Sequence, residues 1–263
     1  MTTTTGSTKS KVPPWSLEPF ERLMEHIERL DQLLDLSIGG ISLIRELPDL
    51  VDPVATTVDK YAGEGTLERT KKEAALADRE VREGFPLLHA QATIAVWSSI
   101  ESTVRLFLAQ WLRNEKKAMD VDIVQKLKVR FGEYERLSDE DRSFFIVDRI
   151  EQEVVAPLTN GINRFEALLE PFGLSGKVKD EVRRDLFELS HVRNALVHRY
   201  GVADKRLAEG CPWLKLTVGD PLRVNHDQTR RYLRAAVQYN IELILRISEY
   251  FGDDVSEHRQ RHA

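Results

Sequence analysis

The chain has 263 residues, of which 41% are apolar and 31% are charged, and its formal net charge is −5. This length accommodates one large helical domain or two small ones, and the apolar fraction is sufficient for a sizeable core. The negative net charge argues against indiscriminate electrostatic binding to nucleic acid or to an acidic membrane, but it leaves room for a local basic cleft. Because Cys211 is the single cysteine, an internal disulfide and a multi-cysteine zinc site are both excluded.

The two ends of the chain are polar. Residues 1–15 are rich in Thr, Ser and Lys and predict a disordered tail, and residues 253–263 predict a polar tail. The sequence contains no apolar run of about 18 residues and no charged-then-apolar N-terminus. It therefore predicts a soluble cytoplasmic protein that has no membrane partner.

Residues 16–85 predict an N-terminal helical extension. Its first helix is expected over residues 16–36, where apolar side chains recur at alternating steps of three and four. These side chains, which we call the inner seam, are Phe20, Leu23, Ile27, Leu30 and Leu34. A heptad-like seam needs a facing helix, and packing within the chain is favoured over an intermolecular coiled coil because the seam spans few heptads.

The remainder of this extension contains a break and a charged helix. Gly39 and Gly40 predict that the first helix ends before them and that a short second helix follows over residues 41–47. Thr66 predicts the start of a helix that runs through Glu83. Because its charges lie on nearly all sides, this helix is expected to be solvated.

Residues 86–252 predict a helical domain with one small sheet. A long helix with a broad apolar face is expected from Pro86 to about Arg113, and another from Asn225 or Asp227 to about Tyr250. Between them, residues 213–218 and 222–224 flank a Gly-Asp-Pro turn sequence and predict a β-hairpin.

The helix predicted before residue 198 carries a charge in its apolar stripe. The stripe passes through Leu186 and Leu189, and its next member is Arg193. Burying an unpaired charge is costly, so Arg193 needs a partner, a phosphate or a wet cleft. Asn194 and His198 lie four residues apart and share a face of the same helix.

These residues carry a family resemblance. The sequence RNALVH at residues 193–198 resembles the Arg-x4-His signature of HEPN domains, which are all-α proteins. The longer stretch VRNALVHRYGVADKRL is similar to the continuation seen in one HEPN group. An earlier apolar helix with Ser98, Ser99 and Glu101, and a final long helix, also fit the pattern. The resemblance covers about residues 86–251 and says nothing about residues 1–85.

The resemblance implies a fold and an activity. Many HEPN domains are metal-independent endoribonucleases that dimerise so that two Arg/His motifs face each other. We therefore expect an all-α, HEPN-like helical bundle that forms a homodimer, binds RNA in a local cleft and uses no cofactor or metal. A role in toxin–antitoxin systems or antiviral defence, with a regulatory protein partner, would follow from family analogy alone.

The chemistry of RNA cleavage suits these side chains. Internal cleavage needs a base for the 2′-hydroxyl, an acid for the leaving 5′-oxygen and positive charge for the phosphate. A histidine side chain can accept or donate a proton in catalysis, so His198 could be the acid or the base, and Arg193 could brace phosphate oxygens bidentately. Asn194 could fix the phosphate or the imidazole tautomer. A two-fold dimer would bring two copies of His198 together and supply both an acid and a base.

Each of these residues also has a structural interpretation. Glu101 is either a solvent-reaching carboxylate or a supporting residue that pairs with Arg193 and orients it. Arg193 could serve only to pair with Glu101 or Glu188, and His198 could serve only to cap the helix. Some HEPN domains lack activity, so the alternative function is a non-catalytic module that binds nucleotide, RNA or a protein partner.

Overall fold

The computed structural model describes residues 11–54, 65–154 and 161–262. These residues are predominantly helical, and the only β pairing among them is an isolated bridge between Val202 and Pro221. The all-α prediction is confirmed. In the part of the chain that is described, no helix is long and apolar enough to cross a membrane.

Eleven α-helices are described. They are α1 Pro14–Val51, α2 Thr66–Glu83, α3 Pro86–Asn114, α4 Asp122–Gln125, α5 Phe131–Tyr134, α6 Asp139–Val154, α7 Asn163–Leu169, α8 Asp180–His198, α9 Lys205–Gly210, α10 His226–Tyr250 and α11 Ser256–His262. Short 3-10 turns occupy Asp52–Val54, Lys116–Asp120, Glu170–Phe172 and Pro212–Leu214.

The chain forms two compact units. Unit 1 consists of Met1–His26, Val96–His191 and Arg234–Ala263, and unit 2 consists of Ile27–Ala95 and Val192–Leu233. Both are assembled from separated stretches of sequence, so this division does not follow the predicted boundary at residue 86. The prediction that residues 86–252 form a domain of their own stays a prediction.

Aromatic side chains fill the core of unit 1. The Trp111 ring lies 5.9 Å from the Trp15 ring and 4.8 Å from the Tyr250 ring, measured between centroids. The Phe20 and Phe107 rings lie 5.0 Å apart. These contacts join the start of α1, the end of α3 and the end of α10. Phe20 is the first residue of the inner seam, and it packs against α3 of the same chain.

A half-buried carboxylate ties three further segments of unit 1 together. Glu166 accepts hydrogen bonds from Arg246 at 2.9 Å, from the Tyr239 hydroxyl at 2.9 Å and from the Gly176 amide at 2.8 Å. Burial and the adjacent Glu166 carboxylate raise the pKa of Tyr239 well above its usual value. The network links α7 to α10 and fixes the chain just before α8.

In unit 2, α1 is fastened to the first turns of α10. Arg230 forms ion pairs with Asp31 and Asp35, the latter at 2.6 Å. Nearby, buried His89 on α3 lies 3.1 Å from the Thr229 hydroxyl. Burial, followed by the charges of His226 and Arg230, lowers the pKa of His89.

Two predictions about local structure are wrong. Helix α1 continues through Gly39 and Gly40 to Val51, instead of breaking there. A glycine costs a helix about 1 kcal/mol relative to alanine but retains its N–H donor, so the backbone hydrogen bonds of the helix continue across it.

The predicted β-hairpin does not form either. Pro212–Leu214 is a 3-10 turn and Lys215 has a positive φ of 55°, which ends any extended run there. The segment around Pro221 pairs instead with residues 201–203, through hydrogen bonds from the Ala203 amide to the Asp220 carbonyl and from the Leu222 amide to the Gly201 carbonyl.

The two predicted tails are partly helical or anchored. Residues 256–262 form α11, and the Lys11 amide donates to Asp253 at 3.0 Å. Val12 is buried, and Trp15 already belongs to α1. The rest of the predicted disordered tail, residues 1–10, lies outside the described residues.

Candidate functional site

The Arg-x4-His motif occupies the last turns of α8. Leu186 and Leu189 are fully buried and fix the rotation of this helix about its axis. As a result Arg193 is half-buried, whereas Asn194 and His198 are exposed. His198 is the last residue of the helix, where the carbonyl ends favour a positive charge.

Arg193 keeps unused hydrogen-bonding capacity. Its Nη1 donates to the Asn194 side-chain oxygen at 3.1 Å, but its Nε is inaccessible to solvent and has no acceptor among the described residues. Within the described part of unit 2, no carboxylate forms an ion pair with it. Because protein atoms cover the Nε, an acceptor supplied by a ligand would bind at the Nη groups, which no carboxylate in the described part of unit 2 neutralises.

Asn194 contacts Arg193 directly. An amide side chain keeps its two N–H donors when its oxygen accepts, so Asn194 can still donate while it holds the guanidinium. This is a different use from the two that the sequence suggested, which were fixing a phosphate or the imidazole tautomer. Both suggestions stay predictions.

Glu101 has a partner of its own in unit 1. Its carboxylate lies 3.0 Å from Arg164, which also pairs with Glu151. Arg105 pairs with Glu151 and Asp148, so Glu101 belongs to a network of alternating charges. Arg164 therefore supplies the positive charge that pairs with the Glu101 carboxylate. The expectation that Glu101 orients Arg193 receives no support from it and stays a prediction.

The chain reverses direction immediately after His198. Tyr200 and Gly201 both have positive φ, at 54° and 72°. The Gly201 amide donates back to the Ala195 carbonyl at 3.1 Å, which ends α8 as the glycine predicted. A tyrosine rarely adopts this conformation, so surrounding contacts must hold it.

Those contacts come from the segment that pairs with residues 201–203. The Leu222 amide donates to the Gly201 carbonyl at 2.7 Å, and the Gly219 amide donates to the Ala203 carbonyl at 2.9 Å. Asp220 closes the turn by accepting from the Thr217 amide at 2.8 Å. The hydrogen bonds from Thr217 lower the pKa of the Asp220 carboxyl.

Tyr200 is a candidate site residue that the Arg-x4-His motif did not include. Its side chain is 99% exposed, although tyrosine usually buries much of its ring. An aromatic ring held open to solvent two residues after His198 is suited to stacking on a nucleobase. The available signal in the sequence was the aromatic residue directly before Gly201, at a position where the helix had to end.

Neither the cysteine nor any metal-binding group of the described residues contributes to the site at the end of α8. Cys211 is buried and forms no disulfide. Among the described residues, no group of three or more His, Cys, Asp or Glu side chains is arranged to hold a metal ion.

Comparison with known proteins identifies no relative. No protein-family model, curated protein or solved structure matches this chain. The resemblance to HEPN domains therefore rests on the motif and its helical setting.

Proposed function

We propose that this protein is a metal-independent endoribonuclease of the HEPN type that acts as a homodimer. The observation that carries the proposal is the combination at the end of α8. A half-buried arginine, which forms no ion pair in the described part of unit 2, is followed five residues later by an exposed histidine at the helix end. The first can hold a phosphate, and the second can transfer a proton.

The reaction would proceed by attack of the 2′-oxygen. His198 of one protomer removes the proton from the 2′-hydroxyl, and the 2′-oxygen attacks the adjacent phosphorus. The bond from phosphorus to the 5′-oxygen breaks, and the partner's His198 protonates that oxygen. Arg193 donates to the non-bridging oxygens, where charge increases in the transition state. The products are a 2′,3′-cyclic phosphate and a 5′-hydroxyl.

A role in toxin–antitoxin systems or antiviral defence extends this proposal by analogy. The extension rests on the resemblance of residues 193–198 to HEPN motifs. It would require a regulatory protein that controls the nuclease, and the cleavage reaction itself does not depend on it.

The direct test is an RNA-cleavage assay of the purified protein in excess EDTA. We expect cleavage to persist in EDTA, because the proposed acid, base and phosphate ligand are all side chains. The new ends should be 2′,3′-cyclic phosphates, which can be identified by their resistance to a phosphatase that removes terminal monophosphates. Activity that vanished in EDTA and returned with Mg²⁺ would refute the mechanism. Absence of cleavage with RNA binding retained would favour the non-catalytic module.

Tyr200 is expected to contribute to RNA affinity by stacking on a base. Replacement by alanine should weaken binding of single-stranded RNA about 5- to 150-fold, since one stacked base is worth about 1–3 kcal/mol. Tyr200→Phe should bind nearly as well as the wild type, because the ring is retained. Fluorescence anisotropy with a labelled oligonucleotide measures both affinities.

A matched control is available on the same unit. Val218 is 65% exposed and lacks an aromatic ring, so Val218→Ala should leave affinity unchanged. If Tyr200→Ala bound RNA as tightly as the wild type, its ring would have no part in recognition.

A further inference from the structure

The second half of α1 carries an apolar stripe that the protein leaves uncovered. From residue 33 to residue 54, apolar or glycine residues recur at alternating steps of three and four. These residues, which we call the outer seam, are Leu33, Leu36, Gly40, Leu43, Leu47, Leu50 and Val54, of which Val54 lies in the 3-10 turn directly after α1. Side-chain exposure is 70% at Leu36, 61% at Leu43 and 64% at Leu50. When large apolar side chains are regularly spaced on a helix and exposed to this extent, the helix typically packs against a partner that is absent.

In the inner seam, by contrast, Phe20, Leu23, Ile27 and Leu34 are buried. Asp31 and Asp35 hold α1 against Arg230 at the point where the inner seam ends. Beyond Asp35, Ser42 donates to the Ile38 carbonyl of the same helix at 2.7 Å. Apart from adjacent residues and the backbone of α1 itself, no heavy atom of the described residues lies within 4 Å of a Cβ placed at Gly39 or Gly40. The helix therefore has open space beside these two glycines.

The segments outside the described residues do not repeat the leucine spacing of the outer seam. Residues 1–10 read MTTTTGSTKS, residues 55–64 read ATTVDKYAGE and residues 155–160 read VAPLTN. None of the three contains two leucines, so none can supply the matching repeat. A second copy of the outer seam does supply it.

A second copy of the same helix fits the seam. Leucine occupies every d position, at Leu36, Leu43 and Leu50, as in parallel two-stranded coiled coils. Glycine at position 40 allows two helix backbones to approach closely. The e and g positions that would flank the seam carry one charge in this stretch, at Glu46, so a facing copy meets little like-charge repulsion.

The available area is also adequate. The five most exposed apolar residues of the seam together present on the order of 500 Å² per chain, so a pair would bury roughly 1,000 Å², which reaches the lower range of specific interfaces. A two-fold pairing uses the same patch on both chains and closes without further growth.

We propose that the outer seam of α1 pairs with the same seam of a second copy as a short parallel coiled coil. The biological purpose of this pairing rests on the proposed function, because the proposed reaction uses two copies of His198 and therefore needs a dimer. Its structural test does not depend on catalysis.

The test is the oligomeric state of the full chain. In light scattering after gel filtration, Leu43→Glu/Leu50→Glu should be monomeric at concentrations where the wild type is dimeric, because its dimer dissociation constant should rise by about 100-fold or more. Arg45→Glu, which changes an exposed charge on the side of α1 away from the seam, should remain dimeric. Circular dichroism should show similar helicity in all three proteins.

A cross-link tests the parallel arrangement independently. Leu43→Cys should form a disulfide between two copies under mild oxidation, because identical d positions face each other in a parallel pair. The wild type should not, since its one cysteine, Cys211, is buried.

The outcomes separate this inference from the proposed function. A wild type that is monomeric at micromolar concentration, or a Leu43→Glu/Leu50→Glu variant that stays dimeric, overturns the coiled coil. If that variant stayed dimeric and still cleaved RNA, the nuclease proposal would survive. If the seam variant dissociated but the wild type cleaved no RNA, the coiled coil would stand and the nuclease proposal would fall.

Discussion

Replacing His198 by alanine is expected to slow RNA cleavage by about 10²–10⁴-fold, the usual loss when one general acid or base is removed. In the proposed dimer both proton transfers use a copy of this side chain, so the effect should lie towards the upper end of that range. Folding should be little changed, because His198 is exposed at the end of α8 and adds no apolar area to the core.

The measurement compares single-turnover rates of the wild type and His198→Ala in EDTA. His26 provides a matched control, since it is also an exposed histidine on a helix and lies outside the motif. His26→Ala should cleave at the wild-type rate. Undiminished cleavage by His198→Ala, with the RNA products unchanged, would show that the catalytic assignment is incorrect.

Arg193→Ala is expected to lower the cleavage rate by about 10²–10³-fold, because it removes a donor from the charge that develops on the phosphate. Arg193→Lys should restore little of this activity. An ammonium group keeps the positive charge but lacks the planar pair of N–H donors that matches two phosphate oxygens. The loss should therefore follow the geometry of the guanidinium rather than its charge alone.

The same variants separate catalysis from stability. Arg193→Ala eliminates a buried Nε that has no acceptor among the described residues, so the free energy of unfolding should not fall appreciably. Arg206→Ala is the control, because it removes an exposed arginine from α9 of the same unit. A large loss of thermal stability in Arg193→Ala, with a proportionate loss of activity, would indicate a structural role instead.

The candidate site was recognisable in the sequence only in part. Arg193 was identifiable because it interrupts an apolar stripe, and His198 because it follows at a fixed spacing near a helix-ending glycine. Both features are local. The partner of Glu101 was not identifiable, because Arg164 lies 63 positions further along the chain and reaches Glu101 only through the packing of unit 1. The exposure of Tyr200 likewise depends on bonds between residues 201–203 and 219–222.

The sequence by itself determined the helical class and several helix ends, because these depend on neighbouring residues. The start of α3 at Pro86 agrees with the prediction, and α2 starts at the predicted place, although its N-cap is Gly65 and not Thr66. Asn225 caps α10 by accepting from the Gln228 amide at 2.9 Å. Periodicity and capping act within one or two turns, so they can be read without knowing the fold.

Only the tertiary structure decided which segments pair and which surfaces stay open. Residues 213–218 have the composition of a strand, yet residues 201–203 take the place beside Pro221. The two glycines of α1 suggested a break, yet the helix continues and leaves the outer seam exposed. The preference of a residue for a strand, or the cost of a glycine in a helix, is only about 1 kcal/mol. Contacts made by distant residues can exceed this difference, and they therefore determine the conformation.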